Sequence, residues 1–288
     1  MDNQQKQASN TPTFETLASL PIAFSQSQCI VHKDEIIICG GTNKNECYSY
    51  HTSKDQYKYI CSYPKEVSLC GHCVVKRVNK KMPHIINLLS FGGYTIENRH
   101  TLVMQYRSVW DDEEADKDMK QFNQWLPLVN AYNQSIILGT MRSNYDGARA
   151  VIGGSKNHLL FITHKPNDIV VIDLNTFRLI QQSKLLLNES WLYHHCFVAK
   201  DGLSNKQINK KKFEMLLFCH KTGLSIEYDE NNNTLQFLVL WVCTTIRPLK
   251  SYAYVAVDNI VFFLVDMMTP LLHLPISCIH IQLKKMNG

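Results

Sequence analysis

The stretch DEIIICGGTNKNECYSYHTSKDQYKYI, Asp34 to Ile60, decides how the chain is read. An apolar run from Ile36 to Cys39 enters Gly40 and Gly41, alternation resumes in ECYSYH, and the chain turns again at SKDQ. Glycine costs backbone entropy and packs no side chain. A glycine pair that ends so strong a strand-forming run therefore points to backbones in close approach. A phosphate cradle would need these glycines to open a helix, and the segments after both Gly40–Gly41 and Gly92–Gly93 alternate as strands instead.

The same order recurs along the chain. SQSQCIVHKDEIIICGG is an alternating strand, a charged turn and an apolar strand ending in two glycines, and GHCVVKRVNKKMPHIINLLSFGG repeats it from Gly71 to Gly93. Further copies begin at Ala148, His194 and Ser251, where the second strands end in ITH, FCH and LVD without the glycine pair. Gly153 and Gly154 fall at the turn between first and second strands. Third strands follow in ECYSYHT, HTLVMQYRSVW, DIVVIDLNTF and GLSIEYDENNN, and fourth strands in QYKYICSYP, NQWLPLV, FRLIQQSKLL and TLQFLVLWV. Short strands joined by Asn, Asp, Lys and Gly turns make hairpins, so each unit is a four-stranded antiparallel sheet. One such sheet cannot bury its apolar faces alone, and radial stacking leaves only short edges. The expected fold is all-β, a propeller of about five blades, with Gly40, Gly41, Gly92 and Gly93 at the ends of second strands near a central channel.

The 288 residues suffice for one large all-β domain, and a composition 45% hydrophobic and 19% charged is that of a globular chain. A net charge of +5 is far from that of a dedicated nucleic-acid binder, and NKKKFE at 209–214 reads as a solvated loop. No secretory leader or clean membrane span is visible, and the 10 cysteines sit in strand-like runs rather than in the spaced loops of a disulfide scaffold. The expectation is a cytoplasmic protein with no membrane and no specific nucleic-acid partner, in which the sequons at Asn188 and Asn232 carry no meaning. The acidic run DDEEADKDMK at 111–120 reads as a surface loop.

The repeat resembles the kelch family, whose signature is a strand starting near His, an apolar strand ending in Gly-Gly, and a downstream Tyr and Trp. More narrowly it resembles the kelch-like proteins expanded in a foraminiferan protist. The first unit supplies Gly40, Gly41 and Tyr50; the second supplies His72, Gly92, Gly93, Tyr106 and Trp110 or Trp125. The step from Gly40 to Gly92 matches the roughly 50-residue kelch period. The resemblance implies one kelch-type propeller over residues 14–283 behind a polar tail at 1–13. Its ring closes by pairing FETLASLP, around Phe14 and Leu17, with the last strands; a truncated member lacking its final blade is the alternative.

No catalytic set is legible. CGHC, Cys70 to Cys73, has thioredoxin-like spacing but enters a strand, where alternation sends His72 and Cys73 to opposite faces. His194 and His195 are split in the same way. The expected function is a non-catalytic scaffold without cofactor, binding an unknown protein partner through rim loops at Tyr94, Arg99, Arg142, Tyr145 and Arg149. The alternative is a metal-assisted enzyme near the channel, with His164 and His220 at equivalent ends of second strands as metal ligands.

Overall fold

The computed structural model describes residues 15–78, 82–111, 121–140, 142–187, 192–200, 211–242, 244, 247, 252–257, 260–265 and 277–282. The acidic run at 112–120, residues 209–210 of the basic cluster, Asn188, Phe14 and the tail at 1–13 lie outside them.

Every described strand belongs to one of five antiparallel sheets with the blade-like meander order expected of the repeat. The first holds β1 (Gln28–His32), β2 (Glu35–Gly41), β3 (Lys44–His51) and β4 (Gln56–Ser62). The second holds β5 (Cys73–Val78), β6 (Ile85–Gly92), β7 (His100–Arg107) and the two-residue β8 (Leu126–Pro127). The third holds β9 (Asn144–Gly153), β10 (Leu159–Lys165), β11 (Asp168–Asp173) and β12 (Leu179–Lys184). The fourth holds β13 (Cys196–Ala199), β14 (Lys212–Cys219), β15 (Thr222–Asp229) and β16 (Thr234–Leu240). The fifth has three described strands, β17 (Ala253–Val257), β18 (Ile260–Val265) and β19 (Ser277–Gln282).

Burial explains the residue types. The second strands β2, β6, β10 and β14 are covered on both faces and accordingly read as nearly continuous apolar runs. The fourth strands β4, β12 and β16 keep one face in water and alternate. Adjacent sheets share apolar cores: Ile37, Leu88, Met104 and Trp125 between the first and second, Phe91, Leu160 and Val170 between the second and third, Phe161, Phe213 and Leu217 between the third and fourth, and Phe218, Val261 and Phe263 between the fourth and fifth. Among the described residues no such core joins the fifth sheet to the first. Their first strands stay half-open instead, with Val31, Val255 and Val257 exposed.

Two expectations about this architecture are corrected. The sheets meet through their first strands, β1 beside β5, β5 beside β9 and β9 beside β13, so the second strands are not innermost. The glycines at the convergence are Gly71 and Gly147, where Gly147 N donates to Gly71 O at 2.9 Å and His194 N donates to Gly147 O at 3.1 Å. A Cβ on Gly71, whose φ is +59°, would lie 2.5 Å from Gly147 N. Gly40, Gly41, Gly92 and Gly93 do end second strands, but they are crowded from within their own neighbourhood: Leu69 and Tyr63 at Gly40, Ser25 O at Gly41, His72 at Gly92, and Asn98 O and Arg99 at Gly93. The N-terminal segment also takes a different course from the expected one. Ala18 N donates to Asp55 Oδ1 at 2.8 Å and Phe24 packs edge-on against Tyr48, so the segment lies along the first sheet, and the described strands of the fifth include none from it.

Candidate functional site

Antiparallel order gathers chemistry at one end of the molecule. First strands start there, second strands end there, third strands start there and fourth strands end there, so the linkers between sheets and the turns between second and third strands share one face. That face carries most of the buried polar side chains: His72, Arg99, His100, Ser143, His164, Asp168, His194 and His195. At the opposite end lies a buried acid, Glu35, which accepts from Ser49 Oγ at 2.6 Å and from the Tyr106 hydroxyl, while Trp110 Nε1 donates to Ser49 Oγ at 2.9 Å. This bonded set ties the first sheet to the second.

The expected rim residues separate into two groups. Tyr94 and Arg142 are exposed and line an open depression of about 560 Å³ together with Glu97, Ser143, Asn144 and Lys165. A hydrogen bond with Thr95 holds Glu97 below the usual carboxylate range. The other three form the support beneath. Arg99 is buried and donates from Nη1 to Thr140 O at 2.6 Å, leaving Nε without a partner. Tyr145 lies edge-on to Phe91 and to His164, and burial pushes its phenol up to about 12. Arg149 donates to Ala148 O at 2.9 Å and lies 3.2 Å from His194 Nδ1.

His164 is buried and its Nδ1 donates to Lys165 O at 2.7 Å, which leaves Nε2 as an acceptor without a partner. His220 sits at the β14–β15 turn with a φ of +47°. Among the described residues no group of three or more His, Cys, Asp or Glu side chains stands in a metal-holding arrangement, so these two histidines do not assemble a ligand set there. The CGHC residues part company as alternation requires: His72 Nε2 donates to Cys39 O at 2.9 Å, Cys73 enters the core between the second and third sheets, and Cys70 is exposed. Burial and then the Asp146 carboxylate push the Cys70 thiol up, the opposite of what a redox nucleophile needs.

Asp146 and Lys165 are the pair that sequence reasoning missed. Lys165 Nζ lies 3.0 Å from Asp146 Oδ2, with the two side chains 14% and 20% exposed, and it borders the depression. Lys165 Nζ also stands 3.9 Å over the Tyr193 ring, which packs against His194. Asp146 N is fixed by Asn144 Oδ1 at 3.0 Å, and Asp146 Oδ1 is buried without a hydrogen-bond partner. Burial, reinforced by Arg149, lowers His194 to about 4, so its imidazole is neutral at pH 7. An acid–base couple, flanked by a phenol, a neutral imidazole and a guanidinium, thus stands where Lys165 lines an open depression.

No protein-family model matches the chain, and no curated protein matches it. Among solved structures, that of YjhT matches with a TM-score of 0.54 at 12% identity over 86% of this chain and 74% of that one. The GH43 protein BlXynB from Bacillus licheniformis matches with a TM-score of 0.43 at 6% identity over 84% of this chain, which spans about half of that protein, 48%. No family model carries the kelch assignment, which is corrected to what the likeness to YjhT shows, the fold alone. The non-catalytic, protein-binding scaffold drawn from that assignment falls with it, as does the expectation that the chain is no enzyme. Among the described residues no helix is long and apolar enough to cross a membrane. What the likeness to YjhT shows is the fold, an all-β chain built of propeller-like antiparallel sheets.

Proposed function

We propose that residues 14–283 form one propeller-type domain and that it is an enzyme working on a small oxygen-rich substrate at the linker face, with Asp146 and Lys165 as its acid–base couple. The observation that carries this reading is the largely buried Asp146–Lys165 pair, whose Lys165 lines a depression large enough for a small molecule. In this reading Arg142 and Glu97 orient polar groups of the substrate and Tyr94 covers one side of it. Asp146 takes a proton from the substrate and Lys165 returns one. Arg99, Tyr145 and His164 are positioning residues that hold the 142–146 segment from below. A cytoplasmic setting fits the described cysteines, all eight of which are free.

Incubating the protein in D₂O with a panel of sugars, hydroxy acids and lactones, followed by NMR, reports proton abstraction whatever the product is. Wild type should turn over or deuterate at least one compound, and Asp146→Asn should lower that rate about 10²–10⁴-fold while melting as wild type does. An Asp146→Asn variant as active as wild type, or a wild type that binds panel members in the depression and exchanges no proton, overturns the reading.

A further inference from the structure

Three cysteines from three neighbouring strands of the first sheet stand in one line across it. Cys39 on β2 is directly opposite Cys47 on β3, and Cys47 is directly opposite Cys61 on β4. Directly opposed antiparallel residues have Cα separations of about 4.5–5.5 Å, inside the range that a disulfide spans. The register shifts by one residue between Cys47 and Tyr48, so the β3–β4 pairing bends at this point and has room to adjust. The group continues into the second sheet, where Trp125 Nε1 donates to Cys47 Sγ at 3.4 Å and the Cys61 thiol lies 3.9 Å from Met104 Sδ.

The middle cysteine differs chemically from its neighbours. Burial alone would raise the Cys47 thiol, but hydrogen bonds from Cys39, Cys61, Trp125 and the Gly40 backbone outweigh it and hold Cys47 well below the usual thiol range. The same bonds, with Cys47 as acceptor, raise Cys39 and Cys61. Cys47 is thus the shared acceptor of the cluster, with the Cys39 and Cys61 thiols donating to it. Cys39 and Cys47 are fully buried, whereas Cys61, on the outer strand, is partly open to solvent. A packing role asks only for three small apolar side chains; it does not ask for an indole N–H aimed at the central sulfur.

We propose that Cys47 and Cys61 form a peroxide-oxidisable thiol pair in which Cys47 is oxidised first and Cys61 resolves it. Cys47 thiolate attacks one oxygen of a hydroperoxide, the O–O bond breaks, and the departing oxygen leaves as water or alcohol after taking a proton. Cys47 is then a sulfenic acid. The Cys61 sulfur attacks Cys47 Sγ, its proton leaves with the displaced hydroxyl as a second water, and a Cys47–Cys61 disulfide remains. Two electrons pass from the two sulfurs to the peroxide. The site is independent of the acid–base couple proposed above, which uses none of these residues.

Trypsin places the three cysteines on separate peptides, Asp34–Lys44, Asn45–Lys54 and Tyr59–Lys65. Native protein is treated with hydrogen peroxide, alkylated under denaturing conditions and mapped by mass spectrometry. The expected product is the Asn45–Lys54 peptide linked to Tyr59–Lys65, with Cys39 alkylated. In Cys61→Ser the link disappears and Cys47 is recovered as a sulfenic acid trapped by dimedone. Wild type in which all three cysteines remain alkylatable overturns the proposal, and so does a Cys47–Cys39 link. Because the decisive reading is made on wild type, it does not depend on a variant folding.

Discussion

His72 and His100 show how completely this fold excludes water from some titratable side chains. Their rings lie 6.3 Å apart beneath the linker face, and burial, aided for His72 by His100, lowers them to about 3 and about 4. An unfolded chain regains the ordinary imidazole value near 6.5. As pH falls below about 6.5 the unfolded state therefore binds protons that the folded state refuses. Stability is full above that value and is lost progressively down to the folded values, by up to about 1.4 kcal/mol per pH unit for each residue. Urea midpoints measured from pH 7.5 to pH 4.5 should fall, and His100→Asn should flatten the decline. A wild-type midpoint constant across that range contradicts the burial described for these rings.

At the scale of elements, the first-strand starts approach one another closely and depend on glycine. Gly71→Ala must hold a left-handed φ and place its Cβ against the Gly147 backbone, at a cost of about 1–3 kcal/mol. Thermal unfolding read by circular dichroism checks this; an unchanged melting curve places the convergence elsewhere. The strands themselves were legible because β2, β6, β10 and β14 are apolar throughout, the outer strands alternate, and Asn, Asp and Gly mark the turns. Which strand is innermost was not legible, since the Gly-Gly pairs announce crowding without saying what causes it. At Gly92 it is His72 of the same sheet, not a neighbouring blade. The Asp146–Lys165 pair was hidden for a related reason. Asp146–Gly147 and Lys165–Pro166 both read locally as turn chemistry, and they meet only because Lys165 at the end of β10 pairs with Asn144 at the start of β9.

For the whole molecule, four apolar cores bind five sheets in sequence, and they leave the linker face as the place where every sheet contributes its first-strand start. The two ends are chemically unequal. Glu35 at one end accepts from both Ser49 and Tyr106, while at the other the Asp146 carboxylate pairs with Lys165, which lines the depression; buried nitrogens without a partner occur at both ends, His32 Nε2 and His51 Nδ1 at the first, Arg99 Nε and His164 Nε2 at the second. Sequence periodicity could not reveal this asymmetry, because it assigns strands to faces of a sheet and not polar satisfaction to its ends. Where a turned-over compound binds is accordingly the decisive observation. A crystal structure of Asp146→Asn with a compound that wild type converts should place it between Tyr94, Arg142 and Lys165. One of its polar atoms should lie about 2.7–3.2 Å from Lys165 Nζ or the residue-146 side chain. The same compound bound at the Glu35 end, or at the open edge beside Val31 and Val255, contradicts the account.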